Sequence, residues 1–362
     1  MKVTVVKKEL QRILDLVAST AGDTDELLLE ASAGHLTAKV HIAKEGVYLS
    51  AMTDVADIAQ DGAFLVNANK FYEVLKTFSG DSVALSGKES KLTAKSEKTR
   101  VSFNGKVPDP ETYPSFPSVD ESAMNPVDGK TFRGMIEKTV FAVPAASDRV
   151  FINGLFLEKG GTTAARAVAT DGYRLACIEV PIELKDSLFI SKAGVREVQR
   201  LLKKAEGTVM IGADKTYFVL RDGNIKVVVS LIHGEFVDYR KAVPGENVNN
   251  RVLVMSRETL LAMLRRAMII FENRNSMVTL DMNPQGLTIS SLSNIGDETE
   301  ESEAEYSGES LKIKVNSSYL IEALRAVEGE MVRLEFKDEA SAIVVKPADT
   351  TGYFNLIMPV MN

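Results

Sequence analysis

Few residues of this sequence could support acid–base, nucleophilic or metal chemistry. The chain contains three histidines, His35, His41 and His233, and one cysteine, Cys177. A single cysteine excludes an internal disulfide and a multi-cysteine zinc or iron–sulfur site. The sequence also has no phosphate-binding loop, dinucleotide fingerprint, zinc-protease motif or serine elbow. We interpret Asp171, within Thr-Asp-Gly, as a turn residue and Cys177 as a core residue. We therefore expect that the protein is not an enzyme and has neither a metal nor a cofactor.

The composition narrows the class of protein further. The 362 residues are 45% hydrophobic and 26% charged, with a net charge of −7. No apolar run approaches the roughly 18 residues of a membrane span, and the amino-terminal segment is repeatedly charged. We therefore expect neither a signal peptide nor a membrane protein. The lone cysteine is consistent with a reducing cytoplasm.

Segments with the pattern of amphipathic helices recur at regular intervals along the chain. Six segments have the apolar spacing of amphipathic helices, as Leu10, Ile13, Leu14 and Val17 illustrate. Their first apolar residues are separated by 61, 61, 63, 65 and 60 positions. These residues are Leu10, Phe71, Phe132, Val195, Leu260 and Leu320. The sequence therefore predicts one helix in about every 60 residues.

A longer repeat indicates three domains. Every second helix is followed by a glycine and a strand-like segment, and glycine suits the left-handed end of a helix. These glycines, Gly80, Gly207 and Gly329, are 127 and 122 residues apart. We therefore predict an α+β protein of three similar domains, over 1–122, 123–250 and 251–362. Each would pack two helices on antiparallel sheets.

Positive charge is concentrated on the predicted helices. The six helices together carry +10, which leaves −17 for the rest of the chain. On the fourth helix Arg196, Arg200 and Lys203 lie opposite the apolar stripe. For any single helix the ordinary explanation is a solvated face. The repetition instead favours a continuous basic surface that attracts a polyanion through phosphate contacts, without reading bases. An interaction scaffold that does not bind DNA remains the alternative.

The number of helices suggests how such a surface would fit DNA. Helices packed side by side lie about 9 Å apart, so six would close a circle about 17 Å across with about 7 Å clear. Twelve helices, from two chains, would give about 34 Å with about 24 Å clear. Duplex DNA is roughly 20 Å wide, which exceeds the width of either groove. Only a dimer could therefore thread a duplex.

Four segments resemble one known family. They are Phe151-Ile-Asn-Gly-Leu-Phe-Leu-Glu158, Ala169-Thr-Asp-Gly-Tyr-Arg-Leu-Ala176, Val315-Asn-Ser-Ser-Tyr-Leu-Ile-Glu-Ala-Leu324 and Ile357-Met-Pro-Val-Met-Asn362. The family is the bacterial DNA polymerase III beta subunit, the sliding clamp. The resemblance implies a head-to-tail homodimeric ring of six domains, with helices lining a hole that encircles duplex DNA. It also implies a clamp loader, polymerase and repair partners that bind through short peptides, and a cytoplasmic, nucleoid-associated location.

The resemblance also places a partner-peptide pocket between the second and third domains. An apolar cleft with a few polar groups suits an extended peptide with leucine or phenylalanine anchors. The matching residues are Ile152, Thr170, Gly172, Tyr173, Arg174, Leu175, Val237, Lys241, Asn316, Tyr319, Ala340, Ala342, Met358, Pro359, Val360 and Met361.

The basic-surface hypothesis assigns a set of cations to the DNA side. They are Lys8, Arg12, Lys76, Lys138, Arg149, Lys192, Arg196, Arg200, Lys203 and Arg266. A first-domain loop, in which family members commonly carry a DNA-contacting arginine, here has Asp23, Asp25 and Glu26. We therefore assign no DNA contact to that loop.

Opposite charges predict the dimer contact. The run over 296–305 contains six acids and no base, although such a run by itself is usually a solvated loop. The first domain offers Lys95, Lys98 and Arg100 beside Phe103. The resemblance brings these edges together and adds apolar residues that match Ile269 and Ile270. We therefore predict a sheet-to-sheet junction with Phe103 against Ile269 and Ile270. Around this contact, basic residues would face the acids Glu298, Glu300, Glu301 and Glu303.

Overall fold

A computed structural model describes residues 1–361 except 56, 110–112, 114, 146, 162, 163, 246, 247 and 272–276. The chain forms two compact units. The first contains Met1–Lys130 and Ala193–Ile232, and the second contains Thr131–Lys192 and the chain from His233 onward. The predicted second domain, 123–250, contributes to both units. The domain boundaries near 122 and 250 stay a prediction.

The described residues include six α-helices at the positions that the apolar spacing predicts. They are α1 (Lys7–Val17), α2 (Ala68–Lys76), α3 (Gly129–Glu137), α4 (Lys192–Leu202), α5 (Arg257–Ala267) and α6 (Ser317–Ala326). In α1 the predicted stripe of Leu10, Ile13, Leu14 and Val17 is buried. The predicted helix repeat is therefore confirmed. None of these helices is both long enough and apolar enough to cross a membrane.

The strands number 26 in the described residues. In chain order they are β1 (Lys2–Val6), β2 (Glu26–Ser32), β3 (His35–Ile42), β4 (Val47–Asp54), β5 (Asp57–Gln60), β6 (Gly62–Asn67), β7 (Ser82–Lys88), β8 (Lys91–Ser96), β9 (Thr99–Lys106), β10 (Asn125–Asp128), β11 (Gly154–Lys159), β12 (Ala165–Thr170), β13 (Arg174–Val180), β14 (Leu188–Ser191), β15 (Thr208–Ala213), β16 (Tyr217–Asp222), β17 (Ile225–Ser230), β18 (Arg251–Ser256), β19 (Met277–Asn283), β20 (Gly286–Leu292), β21 (Asp297–Ser302), β22 (Glu305–Ser307), β23 (Leu311–Asn316), β24 (Met331–Phe336), β25 (Ile343–Pro347) and β26 (Tyr353–Ile357).

Each helix begins directly after a strand, which shows the repeat at the level of local structure. Asn67, Ser256 and Asn316 end their strands, and their side chains accept hydrogen bonds from the first turns of α2, α5 and α6. Such caps satisfy backbone N–H groups that a helix leaves free. The three predicted glycines, at 80, 207 and 329, have φ values of +90°, +90° and +95°. The predicted left-handed backbone is therefore confirmed, but these glycines are not the helix caps: α2 is capped at Thr77 and α6 at Val327, and the glycines follow in the connections to the next strands.

The first unit is built on one 13-stranded antiparallel sheet. Its order is β10-β15-β16-β17-β4-β3-β2-β6-β9-β8-β7-β1-β5. Within it β17 pairs with β4, with Ile225 opposite Ala51. This pairing joins a strand of the predicted second domain to a strand of the first, which explains why the second domain is divided between the units.

The second unit contains two antiparallel sheets. One has nine strands in the order β14-β11-β12-β13-β26-β25-β24-β18-β22, and the other has four in the order β21-β20-β19-β23. The acidic run, for which a loop was the alternative, forms β21, whose side chains alternate between exposed and half-buried. The strand β21 lies at the edge of its sheet, where the dimer hypothesis needs it.

Candidate functional site

A tight turn between β12 and β13 positions the first site residues. The Thr170 hydroxyl donates to the Arg174 carbonyl at 2.6 Å and accepts from the Gly172 N–H at 3.0 Å. One carboxylate oxygen of Asp171 accepts from the N–H groups of Tyr173 and Arg174, both at 3.0 Å. Gly172 has a φ of +92°, which favours glycine. Asp171 therefore holds the turn, in agreement with our interpretation of the sequence.

Arg174 is fixed by a set of polar partners. Its side chain is 12% exposed. Its Nε donates to the second Asp171 oxygen at 3.0 Å, Nη2 donates to the Phe141 carbonyl at 2.8 Å, and Nη1 pairs with Glu322. The guanidinium also lies over the Tyr319 ring, 4.4 Å from its centroid. Arg174 therefore forms a rigid wall rather than a mobile surface charge.

Beside this turn lies a cavity of about 360 Å³, which we call the apolar cleft. Leu175, Tyr239 and Leu356 of its lining belong to a core group that also contains Val168 and Cys177. The residues that line the cleft are Arg149, Phe151, Ile152, Thr170, Gly172, Tyr173, Arg174, Leu175, Val237, Asp238, Tyr239, Lys241, Ala242, Ala342, Leu356 and Met358. Such a cleft can bind apolar side chains and position them with a few polar groups.

The structure brings most of the predicted pocket residues together in this cleft. They are Ile152, Thr170, Gly172, Tyr173, Arg174, Leu175, Val237, Lys241, Ala342 and Met358. Sequence reasoning missed Phe151, Asp238, Tyr239, Ala242 and Leu356. Three of these five, Phe151, Asp238 and Ala242, directly adjoin predicted residues in the sequence, so extending those matches by one residue would have found them.

The remaining predicted pocket residues lie elsewhere. Asn316 and Tyr319 line a second cavity of about 600 Å³, which we call the arginine cavity. Ala340, Pro359, Val360 and Met361 are not among the residues lining either cavity. The carboxyl-terminal segment is nevertheless attached close by. The Met358 N–H donates to the Tyr173 carbonyl and the Val360 N–H to the Lys314 carbonyl, both at 2.8 Å.

Two ionisable residues of the core group at the apolar cleft, Cys177 and Tyr239, have raised pKa values. Burial raises the pKa of the Cys177 thiol to about 12. Burial also raises the pKa of Tyr239, and its hydroxyl donates to Glu158 Oε2 at 2.7 Å, which raises it further. Both groups are therefore protonated at neutral pH, and they contribute packing and hydrogen bonding to the core next to the cleft.

The predicted DNA-facing cations differ in whether other groups of the chain already pair with them. Lys8 and Lys203 are exposed, and neither has an ion-pair partner within the described part of the chain. Arg149 is also exposed but lines the apolar cleft. Six others have partners in the chain: Arg12 with Glu9, Lys76 with Glu73, Lys138 with Glu328, Lys192 with the carbonyls of Val143 and Pro144, Arg196 with Glu45, and Arg266 with Glu300.

Arg200 has a structural role that the sequence did not reveal. Its Nε donates to Glu197 Oε2 at 2.8 Å, and Glu197 is fully buried. Its Nη1 donates to the Asp15 carbonyl at 3.1 Å, and Nη2 donates to the Leu16 carbonyl. These carbonyls belong to the last turn of α1, where helix carbonyls need donors. We therefore remove Arg200 from the DNA-facing set.

Two sheet edges carry the residues assigned to the dimer junction. The strand β9 pairs with β8 throughout but with β6 only at Gly105 and Lys106, so among described residues the edge over 99–104 is open. Phe103 lies on this edge, half-buried, with its ring 5.0 Å from that of Phe71. Lys95, Lys98 and Arg100 are exposed nearby.

The acidic edge is formed by β21, which within the described residues pairs only with β20. Its predicted acids do not all face the same way. Glu298 accepts from the Ser291 hydroxyl at 3.2 Å and Glu300 from Arg266 Nε at 2.8 Å, whereas Glu301 and Glu303 are exposed. At the end of α5, Ile269 is 77% exposed and Ile270 is half-buried.

Solved structures define the class of this fold. The chain matches the DNA polymerase sliding clamp of Pseudomonas aeruginosa with a TM-score of 0.92, at 25% identity and over 100% of both chains. It matches the DNA polymerase III beta subunit of Thermotoga maritima with a TM-score of 0.89, at 25% identity, over 100% of this chain and 99% of that one. The fold is therefore the three-domain α+β fold of sliding clamps, as the sequence predicts.

Sequence comparison identifies the family. The central domain of the DNA polymerase III beta subunit matches residues 126–238, and its C-terminal domain matches residues 240–361. The Beta sliding clamp of Pseudomonas aeruginosa is 28% identical over 84% of this chain and 83% of its own length. The chain belongs to the DNA polymerase III beta subunit family, which confirms the resemblance inferred from the four segments.

Proposed function

We propose that this protein is a DNA sliding clamp that closes as a homodimeric ring around duplex DNA. The observation that carries the proposal is the match to solved sliding clamps over the entire chain. Each chain would contribute three domains, over 1–122, 123–250 and 251–362, and six helices, so the ring of two chains would contain twelve helices. The protein would act as a non-enzymatic tether in the bacterial cytoplasm, associated with the nucleoid. A clamp loader would open the ring.

Three features of the structure support the parts of this proposal. The exposed Lys8 and Lys203 suit phosphate contacts that do not depend on base sequence. The open edges of β9 and β21 carry opposite charges, so pairing them would close the ring and cover both edges. The apolar cleft suits the short peptides through which polymerases and repair proteins would be tethered.

Loading on circular DNA tests the ring directly. The protein is placed on nicked circular duplex by a bacterial clamp loader with ATP, and DNA-bound protein is separated by gel filtration. We expect retention on the circle and release after a restriction enzyme linearises it, because a ring slides off free ends. Retention on linear DNA would indicate ordinary binding. The absence of retention on either form would favour a scaffold that does not bind DNA.

A charge-reversed variant tests the basic surface. In Lys8→Glu/Lys203→Glu we expect several-fold weaker direct binding to primed DNA, measured by fluorescence anisotropy, with an unchanged dimer mass. Each lost phosphate contact removes about 0.9 from the slope of log affinity against log salt. The control, Lys215→Glu/Lys337→Glu, makes the same charge change at exposed residues outside the helices. Equal weakening in both variants would show that only net charge matters.

Shortening the carboxyl-terminal segment tests the position of the cleft. Removal of residues 358–362 takes Met358 out of the cleft lining, so we expect loss of partner-peptide binding with the dimer retained. Truncation after Val360 is the matched control, because it preserves both backbone hydrogen bonds of the segment. Isothermal calorimetry with a peptide that contains leucine and phenylalanine anchors measures both. Unchanged affinity after the longer deletion would show that the cleft is not the site.

A further inference from the structure

Arg174 separates two neighbouring cavities of the second unit. Its side chain lines both the apolar cleft and the arginine cavity. Tyr319, against which the Arg174 guanidinium stacks, lines only the arginine cavity, as does Asn316. A site that the resemblance describes as one pocket is therefore two adjoining compartments of different chemistry.

The arginine cavity has an excess of positive charge. Three arginines, Arg174, Arg265 and Arg325, line it together with one carboxylate, Glu322. Glu322 pairs with Arg174, whose charge is also matched by Asp171. Arg265 and Arg325 are exposed, and the described residues include no ion-pair partner for either. The cavity therefore presents two unneutralised guanidinium groups.

The carboxyl-terminal segment connects the two cavities. It starts in the lining of the apolar cleft at Met358 and reaches the Lys314 carbonyl through the Val360 N–H at 2.8 Å. Lys314 lies on β23, two residues before Asn316 in the lining of the arginine cavity. A peptide that extends from the cleft along this segment would meet the arginine cavity next.

We propose that the arginine cavity binds an acidic side chain of the same peptide whose apolar anchors fill the cleft. Carboxylates are the natural partners of guanidinium groups, which bind them through two parallel hydrogen bonds. The inference rests on the proposed peptide-tethering function and adds a chemical requirement to it. Partner peptides carry aspartate or glutamate on one side of their leucine and phenylalanine anchors.

A peptide carboxylate fits these observations better than a DNA phosphate. The cavity shares a wall with the cleft, and it is lined by two residues that the resemblance assigns to peptide binding, Asn316 and Tyr319. The Asn316 side-chain oxygen caps α6 by accepting from the Ser318 N–H at 3.0 Å, and its amide nitrogen is a donor for an acceptor oxygen of the ligand.

Three synthetic peptides test the proposal with the full-length protein. One contains the leucine and phenylalanine anchors alone, and the others add three glutamates either before or after the anchors. We measure Kd by fluorescence anisotropy. We expect one of the two acidic peptides to bind about five-fold more tightly than the anchor peptide, as two exposed ion pairs would give. The other should not, because the arginine cavity lies on one side of the cleft.

The variant Arg265→Ala/Arg325→Ala should remove this gain. Lys215→Ala/Lys337→Ala is the matched control and should preserve it, since both lysines are exposed and line neither cavity. Equal gains from both acidic peptides, or a gain that survives Arg265→Ala/Arg325→Ala, would overturn the proposal. So would a variant that binds all peptides normally but binds DNA more weakly. Failure of every peptide to bind would instead refute peptide tethering at this cleft.

Discussion

The variant Phe103→Glu should be a monomer in solution. Phe103 lies on the open edge of β9, half-buried against Phe71. In the proposed junction it packs against Ile269 and Ile270 of the partner subunit, beside the acidic edge of β21. A glutamate there would remove apolar contact and add like-charge repulsion, so the association should weaken strongly. Size-exclusion chromatography with light scattering at micromolar concentration measures the change in mass.

Two controls separate this effect from misfolding. Val6→Glu adds the same charge at an apolar residue that is 56% exposed and lies three strands away from β9 in the sheet. We expect it to stay dimeric. Phe103→Lys removes the same ring but places a cation opposite the acidic edge, so it should retain more dimer than Phe103→Glu. A dimer of unaltered mass in Phe103→Glu would exclude Phe103 from the junction.

Replacement of Arg174 by leucine should lower the free energy of unfolding by about 3 kcal/mol, because it breaks a largely buried ion pair and leaves the partner groups without a donor. The change leaves Asp171, Glu322 and the Phe141 carbonyl without the guanidinium that now serves them. It also removes the wall between the two cavities, so peptide affinity should fall as well. Urea unfolding followed by circular dichroism measures the stability.

Arg174→Lys is the informative control for this prediction. Lysine keeps the charge but lacks the planar fork that serves several acceptors at once. Its stability should therefore lie between those of the native protein and Arg174→Leu. If Arg174→Leu unfolds at the same urea concentration as the native protein, the network around Arg174 does not contribute to stability.

The sequence predicted the helices and the positive φ of the glycines that follow them because these features depend on neighbouring residues. An apolar stripe such as Leu10, Ile13, Leu14 and Val17 can be buried on one face only in a helix, and α1 buries it. The positive φ of Gly80 is likewise local, because it lies in the short connection between α2 and β7. Such features are encoded within a few residues.

The sequence could not predict hydrogen bonds and ion pairs between residues that are far apart in the chain. The position of Arg200 opposite an apolar stripe indicated a solvated cation, but its guanidinium donates to carbonyls 184 and 185 residues away. Only the assembled first unit brings these groups together. For the same reason the sequence did not reveal that Glu300 is already paired with Arg266.

Most residues of the candidate site could be predicted from the sequence, but its separation into the apolar cleft and the arginine cavity could not. The resemblance supplied Leu175 of the cleft and Tyr319 of the arginine cavity together, because matched motifs carry no information on which side chains share a cavity. The separation depends on where the Arg174 guanidinium points, and its partner Glu322 lies 148 residues away. Side-chain placement of this kind appears only in the folded chain.

The burial of Cys177 has a practical consequence for single-molecule work. Its thiol is 4% exposed and stays protonated at the pH of maleimide coupling. The native chain should therefore remain unlabelled by thiol-reactive fluorophores while folded. A cysteine introduced at an exposed turn such as Lys215 would give one dye per subunit, and movement along a stretched duplex could then be followed without altering the interior.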